Sequence, residues 1–211
     1  TIVSTKMADA VCKTYGVKLI RTLTGFKYIG EKIHEFEESG ENTFLFGFEE
    51  SYGYLAGTYA RDKDAVVASM LTAEMACFYS AKGMTLLDVM DNLYKKFGGY
   101  YEELESITLE GENGMENIKR VMTHFRDEQI SEVGGAAIES VIDYLGKTDL
   151  PKSDVLKFCA SNGLDFIIRP SGTEPKLKIY YLSEGKTYDE AKVKAQKAKA
   201  EVSEIIKSVI I

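Results

Sequence analysis

The sequence predicts two domains of different class. Residues 1–103 read as an α/β domain, a mostly parallel sheet with helices on both faces, and 104–211 as a smaller α+β domain, an antiparallel sheet covered by helices. Up to about residue 100, helical and strand patterns alternate, which is how a parallel layer is written in sequence. Beyond that, short strand patterns follow one another and only two helical stretches interrupt them. The change comes at "FGGYYEELE", and the connection has no Pro/Gly-rich linker.

The chain opens on Thr1-Ile2-Val3, which reads as the end of a strand. A chain that starts partway through an element is expected to be a fragment of something longer. "STKMADAVCKTYG" follows as a capped helix stopping at Gly16. "VKLIRTLT" is a short strand. "GFKYIGEKIHEFEESG" places Phe26, Ile29, Ile33 and Phe36 at helical spacing. "TFLFGFEES" is an apolar run of strand length that ends in two acids and a serine. "DKDAVVASMLTAEMACFYSAKG" is apolar on most faces, which predicts a buried helix. "TLLDVMDNLYKKFGG" is amphipathic, with Thr85 as its N-cap. In the second half, "SITLEG" reads as a strand and "GMENIKRVMTHFRDE" as a helix. "AAIESVIDY", "VLKFCAS", "LDFIIRP" and "KLKIYYLSE" read as four further strands. A last helix from Tyr188 to about Val209 repeats apolar residues at Ala191, Ala195, Ala198, Val202, Ile205 and Val209.

Composition narrows the function classes. The 211 residues are 45% hydrophobic and 28% charged, with a net charge of −7. That acidic balance disfavours nucleic acid as the main partner, and an anionic ligand would need cations concentrated locally. No run reaches the roughly 18 apolar residues of a membrane helix, so no membrane partner is expected. The cysteines at 12, 77 and 159 are odd in number and far apart, as in a reduced cytoplasmic protein. The histidines at 34 and 124 are isolated from each other and from the cysteines, so no metal site is expected.

Four turns have chemical potential. In "FIIRPSGTEPKLKIYY", Arg169 offers a planar fork of donors for phosphate or carboxylate. Ser171 and Thr173 add hydroxyls, and Gly172 admits close backbone approach. Consecutive N–H groups there can form an anion-binding nest. Lys176 and Lys178 add charge, making this a local cationic exception in an acidic chain. The same residues also suit an ordinary hairpin with a polar turn. In "GFEESYGY", at a strand's carboxyl end, Glu49 and Ser51 suit the hydroxyls of a sugar, or equally a charged loop. In "TLTGFK", Thr24 is either a helix cap or a ligand contact. In "ARDKDAVVAS", Lys63 belongs to a solvated charge run or faces a phosphorylated ligand.

Taken in order, "TLTGFK", "FEESYGY", "RDKD" and "RPSGTEP" resemble the corresponding loops of the α-D-phosphohexomutase superfamily, most closely its phosphoglucomutase branch. The resemblance covers essentially the whole chain and implies its third, α/β, domain and its fourth, α+β, domain. The family's phosphoserine string, of T-A-S-H-N-P type, and metal string, of D-G-D-x-D-R type, are absent from the 211 residues. The implied reaction interconverts glucose 1-phosphate and glucose 6-phosphate through a phosphoserine and a bisphosphate intermediate; a mannose or pentose phosphate substrate is the alternative within the family. A stand-alone sugar-phosphate-binding module is the alternative outside it. By the same resemblance Mg²⁺ would be bound outside this chain, in the missing N-terminal domains. Arg169, Ser171, Gly172, Thr173 and Lys178 would grip the non-reacting phosphate. Glu49 and Ser51 would hold sugar hydroxyls. Thr24 and Lys63 would line the same pocket, with Lys63 a possible aid to proton transfer. The chain alone is expected to be inactive.

Overall fold

The computed structural model describes residues 1–111, 113–172 and 174–210. The chain divides into two units, residues 1–4 with 11–97 and residues 5–10 with 98–211.

In the first unit, helix α1 (Met7–Tyr15) stops at Gly16, whose φ of 65° ends the helical path. Residues 5–10, which include the first turn of that helix, group with the second unit. Helix α2 (Phe26–Ser39) buries Phe26, Ile29 and Ile33, three of the four positions marked by their spacing. Its N-cap is Gly25 at φ 118°, with no side-chain cap bond. Thr24 is therefore not the cap: the helix starts one residue later than a threonine cap requires. Strands β1 (Phe46–Glu49) and β2 (Gly53–Ala56) form an antiparallel hairpin that pairs Phe48 with Tyr54 and Glu49 with Gly53. Leu55 packs with Phe26, Ile29 and Ile33 into the small core, against Phe44 and Ala60.

Three expectations change here. Among the described residues the sheet of this unit is the antiparallel β1–β2 pair, not a mostly parallel one, because the strand expected before α2 finds no neighbour to pair with. The segment 17–23 forms no ladder; the Ile2 N–H donates to the Thr22 carbonyl at 2.8 Å. A strand is defined by pairing, and one backbone bond does not make a sheet. Helix α3 (Ala65–Ser80) is as predicted in extent, capped by Asp64, which accepts from the Val66 and Val67 amides. Yet none of its residues is buried, and Val66 is 79% exposed. Its apolar residues run all the way round, and β2 on one side cannot cover them. Helix α4 (Leu86–Phe97) starts at the expected cap. Thr85 Oγ1 accepts from the Asp88 amide, and the Asp88 carboxylate accepts from the Thr85 amide at 2.8 Å.

The second unit is a six-stranded antiparallel sheet. Its strands are β3 (Gly99–Thr108), β4 (Glu132–Val133), β5 (Ala136–Asp143), β6 (Leu156–Ala160), β7 (Leu164–Pro170) and β8 (Lys176–Gly185). They lie in the order β3-β8-β7-β6-β5-β4. Helices α5 (Gly114–Asp127) and α6 (Tyr188–Ile210) cover one face. Phe158, Phe166, Ile168, Leu177, Ile179 and Tyr181 point into that core, where Phe158 and Phe166 stack at 4.4 Å. Alternation sends Lys157, Asp165, Arg169 and Lys178 to the opposite face. In α6 the buried stripe is Ala191, Ala195, Ala198, Val202 and Ile206. Ile206 takes the place expected for Ile205, which packs at the edge of the core. Small alanines let α6 lie close on the sheet.

Candidate functional site

The first cluster is built by the β1–β2 turn and the segment entering α3. Glu49 ends β1 with only 8% of its surface exposed. A carboxylate so enclosed needs a partner, and Lys63 Nζ stands 3.6 Å from Oε1. Lys63 also reaches Asp62 at 3.4 Å and lies 5.8 Å above the Phe26 ring, at the start of α2. The Lys63 amide donates to Asp62 at 2.8 Å, and this bond, with the lysine's charge, holds the Asp62 carboxyl below the usual carboxylate range. The segment is anchored where the Asp64 amide donates to the Tyr54 carbonyl at 2.8 Å. Thr24 is half-buried two residues before Phe26, while Ser51 is exposed on the turn. Beside it Tyr52, at φ 63°, is the one described non-glycine residue with positive φ, and it is 89% exposed. Strain of this kind concentrates at functional turns.

The second cluster is the β7–β8 turn. Arg169 faces Lys178 directly across the ladder. The Arg169 guanidinium donates to the Tyr180 hydroxyl at 3.5 Å. Among the described residues neither Arg169 nor Lys178 enters an ion pair, whereas Lys176 pairs with Glu174 at 2.8 Å. That pairing holds the Glu174 carboxyl below its ordinary range. The turn is closed by the Ser171 amide donating to the Lys176 carbonyl at 2.7 Å. Gly172 is exposed with open space around it. Thr173 lies outside the described residues.

The structure thus brings Glu49 and Lys63 together in one unit, and Arg169 and Lys178 together in the other. Two features go beyond the sequence reading. Tyr180 meets Arg169, a pairing set by the strand register. Gly53 sits opposite Glu49, and a glycine inside a strand is itself a signal of close approach.

A third polar cluster lies on the same sheet face as Arg169. Asp165, only 5% exposed, pairs with Lys157 at 2.9 Å and Lys6 at 3.6 Å. Burial opposes charge on Lys157, but Asp165 outweighs it and raises the lysine's pKa. The three groups satisfy one another. No group of three or more His, Cys, Asp or Glu able to hold a metal occurs among the described residues. No helix among them is long and apolar enough to cross a membrane.

Comparison with known proteins places these clusters in a lineage. Residues 1–97 match the family model of phosphoglucomutase/phosphomannomutase alpha/beta/alpha domain III. Residues 115–205 match that of the phosphoglucomutase/phosphomannomutase C-terminal domain. A phosphoglucomutase of Staphylococcus aureus strain MRSA252 is 35% identical over 192 residues, covering 85% of this chain and 34% of that protein. One from Staphylococcus epidermidis strain RP62A is 36% identical, covering 85% of this chain and 35% of that protein. The chain therefore spans about a third of the length of the curated relatives it matches. Among solved structures, parafusin from Paramecium in its open form superposes with a TM-score of 0.61 at 20% identity, covering 96% of this chain and 35% of that one. That likeness concerns the fold. With both units matched in order, the chain belongs to the phosphoglucomutase/phosphomannomutase family.

Proposed function

We propose that this chain is the substrate-binding half of a cytoplasmic phosphoglucomutase, an isomerase acting as an intramolecular phosphotransferase between glucose 1-phosphate and glucose 6-phosphate. Arg169, Ser171, Gly172, Thr173 and Lys178 grip the phosphate that does not react. Glu49 and Ser51 hold sugar hydroxyls. Thr24 and Lys63 line the pocket, and Lys63 assists proton transfer. The expected division into residues 1–103 and 104–211 falls within β3, which pairs along its length with β8, so the boundary is placed before Gly98. The phosphoserine and Mg²⁺ belong to N-terminal domains outside these 211 residues. The residues present here do not fit Mg²⁺, since the described part of the chain has no cluster of ligands for it.

The observation that carries this reading is the pair Arg169 and Lys178. Two cations placed directly opposite each other on a sheet repel. They stand beside an open glycine turn in a chain of net charge −7, and among the described residues neither forms an ion pair, Lys178 acting only at longer range on Glu174, which Lys176 already holds. A dianionic phosphate would turn that repulsion into two charge-assisted contacts. Phosphoryl transfer depends mostly on positioning and charge stabilisation, and positioning is what this half supplies. The bisphosphate must turn end for end, so each clamp must accept either end of the sugar.

The test is a titration of the 211-residue chain with glucose 6-phosphate followed by NMR. Shifts are expected at Arg169, Gly172 and Lys178 and should vanish in Arg169→Ala. Unchanged binding in that variant would refute the clamp. The chain alone should not turn over glucose 1-phosphate. The matched family description also names phosphomannomutase, so a kinetic panel on the longer polypeptide with glucose, mannose and pentose phosphates decides the sugar.

A further inference from the structure

Gly53 is occupied in an unusual sense: other residues fill the space its own side chain would take. It lies opposite Glu49 in the β1–β2 ladder. A Cβ at this position would stand 2.7 Å from Glu49 Cγ, 2.7 Å from Glu49 Oε1 and 3.0 Å from Lys63 Cδ. The two distances to Glu49 are shorter than real Cβ atoms show, and the one to Lys63 is tight enough that its stem would have to give. Gly53 is buried, and it is absent from the set of glycines with positive φ. Its backbone is open to any residue, so the space alone selects glycine. The Glu49 side chain occupies the space at the bare Cα, and the Lys63 stem borders that same space. This sets the ammonium 3.6 Å from the carboxylate.

We propose that Gly53 is a positioning residue: the slot it leaves holds the Glu49 carboxylate and the Lys63 ammonium side by side, in the pose that meets the sugar. This rests on the reading of Glu49 and Lys63 as ligand contacts. All three atoms that crowd the missing Cβ belong to flexible side chains, none to backbone. An alanine at this position is therefore accommodated by swinging Glu49 and Lys63 out of place, and the hairpin persists.

The experiment compares Gly53→Ala, Glu49→Gln and the double variant in the mutase polypeptide that carries this chain. Gly53→Ala should keep the wild-type circular dichroism and raise KM for glucose 1-phosphate about tenfold, the loss of one good polar contact. In the Glu49→Gln background the same change should add less than about twofold, since neighbours acting through one contact are not additive. Wild-type kinetics in folded Gly53→Ala, or a full additional loss on top of Glu49→Gln, overturns the proposal. If Gly53→Ala does not fold, Gly53→Ala with Glu49→Asp decides. A shorter acid vacates the slot, so recovered folding supports the proposal, and continued misfolding places the cost in the backbone and overturns it. Wild-type KM in Glu49→Gln would instead sink the reading of the loop itself, and this proposal with it.

Discussion

Glycines at 53 and 99 illustrate how one absent side chain can serve two different ends. At Gly99 an added Cβ would fall 1.9 Å from the Thr187 carbonyl carbon, 2.1 Å from its oxygen and 2.2 Å from the Tyr188 nitrogen. These are backbone atoms at the entrance to α6, so nothing can swing aside. Gly99→Ala should cost about 3 kcal/mol, at the upper end of ordinary overpacking, measured by urea denaturation. At Gly53 the neighbours are side chains, and the expected loss is in substrate affinity with stability retained. The string "FEESYG" was enough to single out Glu49 and Ser51, but it does not mark Gly53 as a spacer. That role depends on Lys63, ten residues further along the chain and brought back by the bond between Asp64 and Tyr54.

The helices of the second unit are fastened by ion pairs and hydrogen bonds as well as by apolar contact. Lys199 on α6 pairs with Glu103 on β3 at 2.5 Å. Glu105 accepts from Ser203 at 3.1 Å and from the Tyr181 hydroxyl at 3.1 Å. Burial and the nearby Glu105 charge push the Tyr181 phenol well above its ordinary pKa. On α5, Arg126 bonds Asp143 at 2.8 Å and Asp154 at 2.6 Å. Partial burial opposes ionisation of Asp143, but Arg126 and the Leu145 amide outweigh it and hold its carboxyl below the ordinary range. A depressed acid stabilises the fold above its unfolded pKa of about 3.9, and the contribution fades as pH falls through the lower folded value. Arg126→Ala should therefore cost about 1 kcal/mol near pH 7. The gap to wild type should close progressively below about pH 4, as read from thermal midpoints across an acid series. The strand and helix pattern of this unit was legible because each element alternates or repeats cleanly. The partners of Arg126 were not, because Asp143 and Asp154 come to it from β5 and the loop that follows.

Across the whole chain, apolar surface is unevenly distributed. Among the described residues the second unit closes a core from nineteen buried ones, whereas α3 and α4 have none buried. Val66, Met70, Phe78 and Leu87 stand 79, 57, 53 and 79% exposed. Exposed apolar surface on this scale attracts other apolar surface. The 211-residue chain should bind the dye ANS and associate with itself as concentration rises. Val66→Lys with Leu87→Lys should reduce both, as read by dye fluorescence and light scattering; undiminished dye binding in that variant would place the apolar surface elsewhere.

Local spacing in the amino-acid string was sufficient for the helices and most strands, since periodicity reflects which face meets the core. It also sufficed for the order of the four loops, on which the family resemblance rested. Three things lay beyond it. Segment 17–23 is strand-like in composition, yet a strand exists only through its neighbour. The apolar helix α3 reads as buried, but burial depends on how much surface is available to cover it. The pairs Glu49 with Lys63 and Arg169 with Tyr180 arise from register and loop closure, which bring together side chains that no short-range pattern relates.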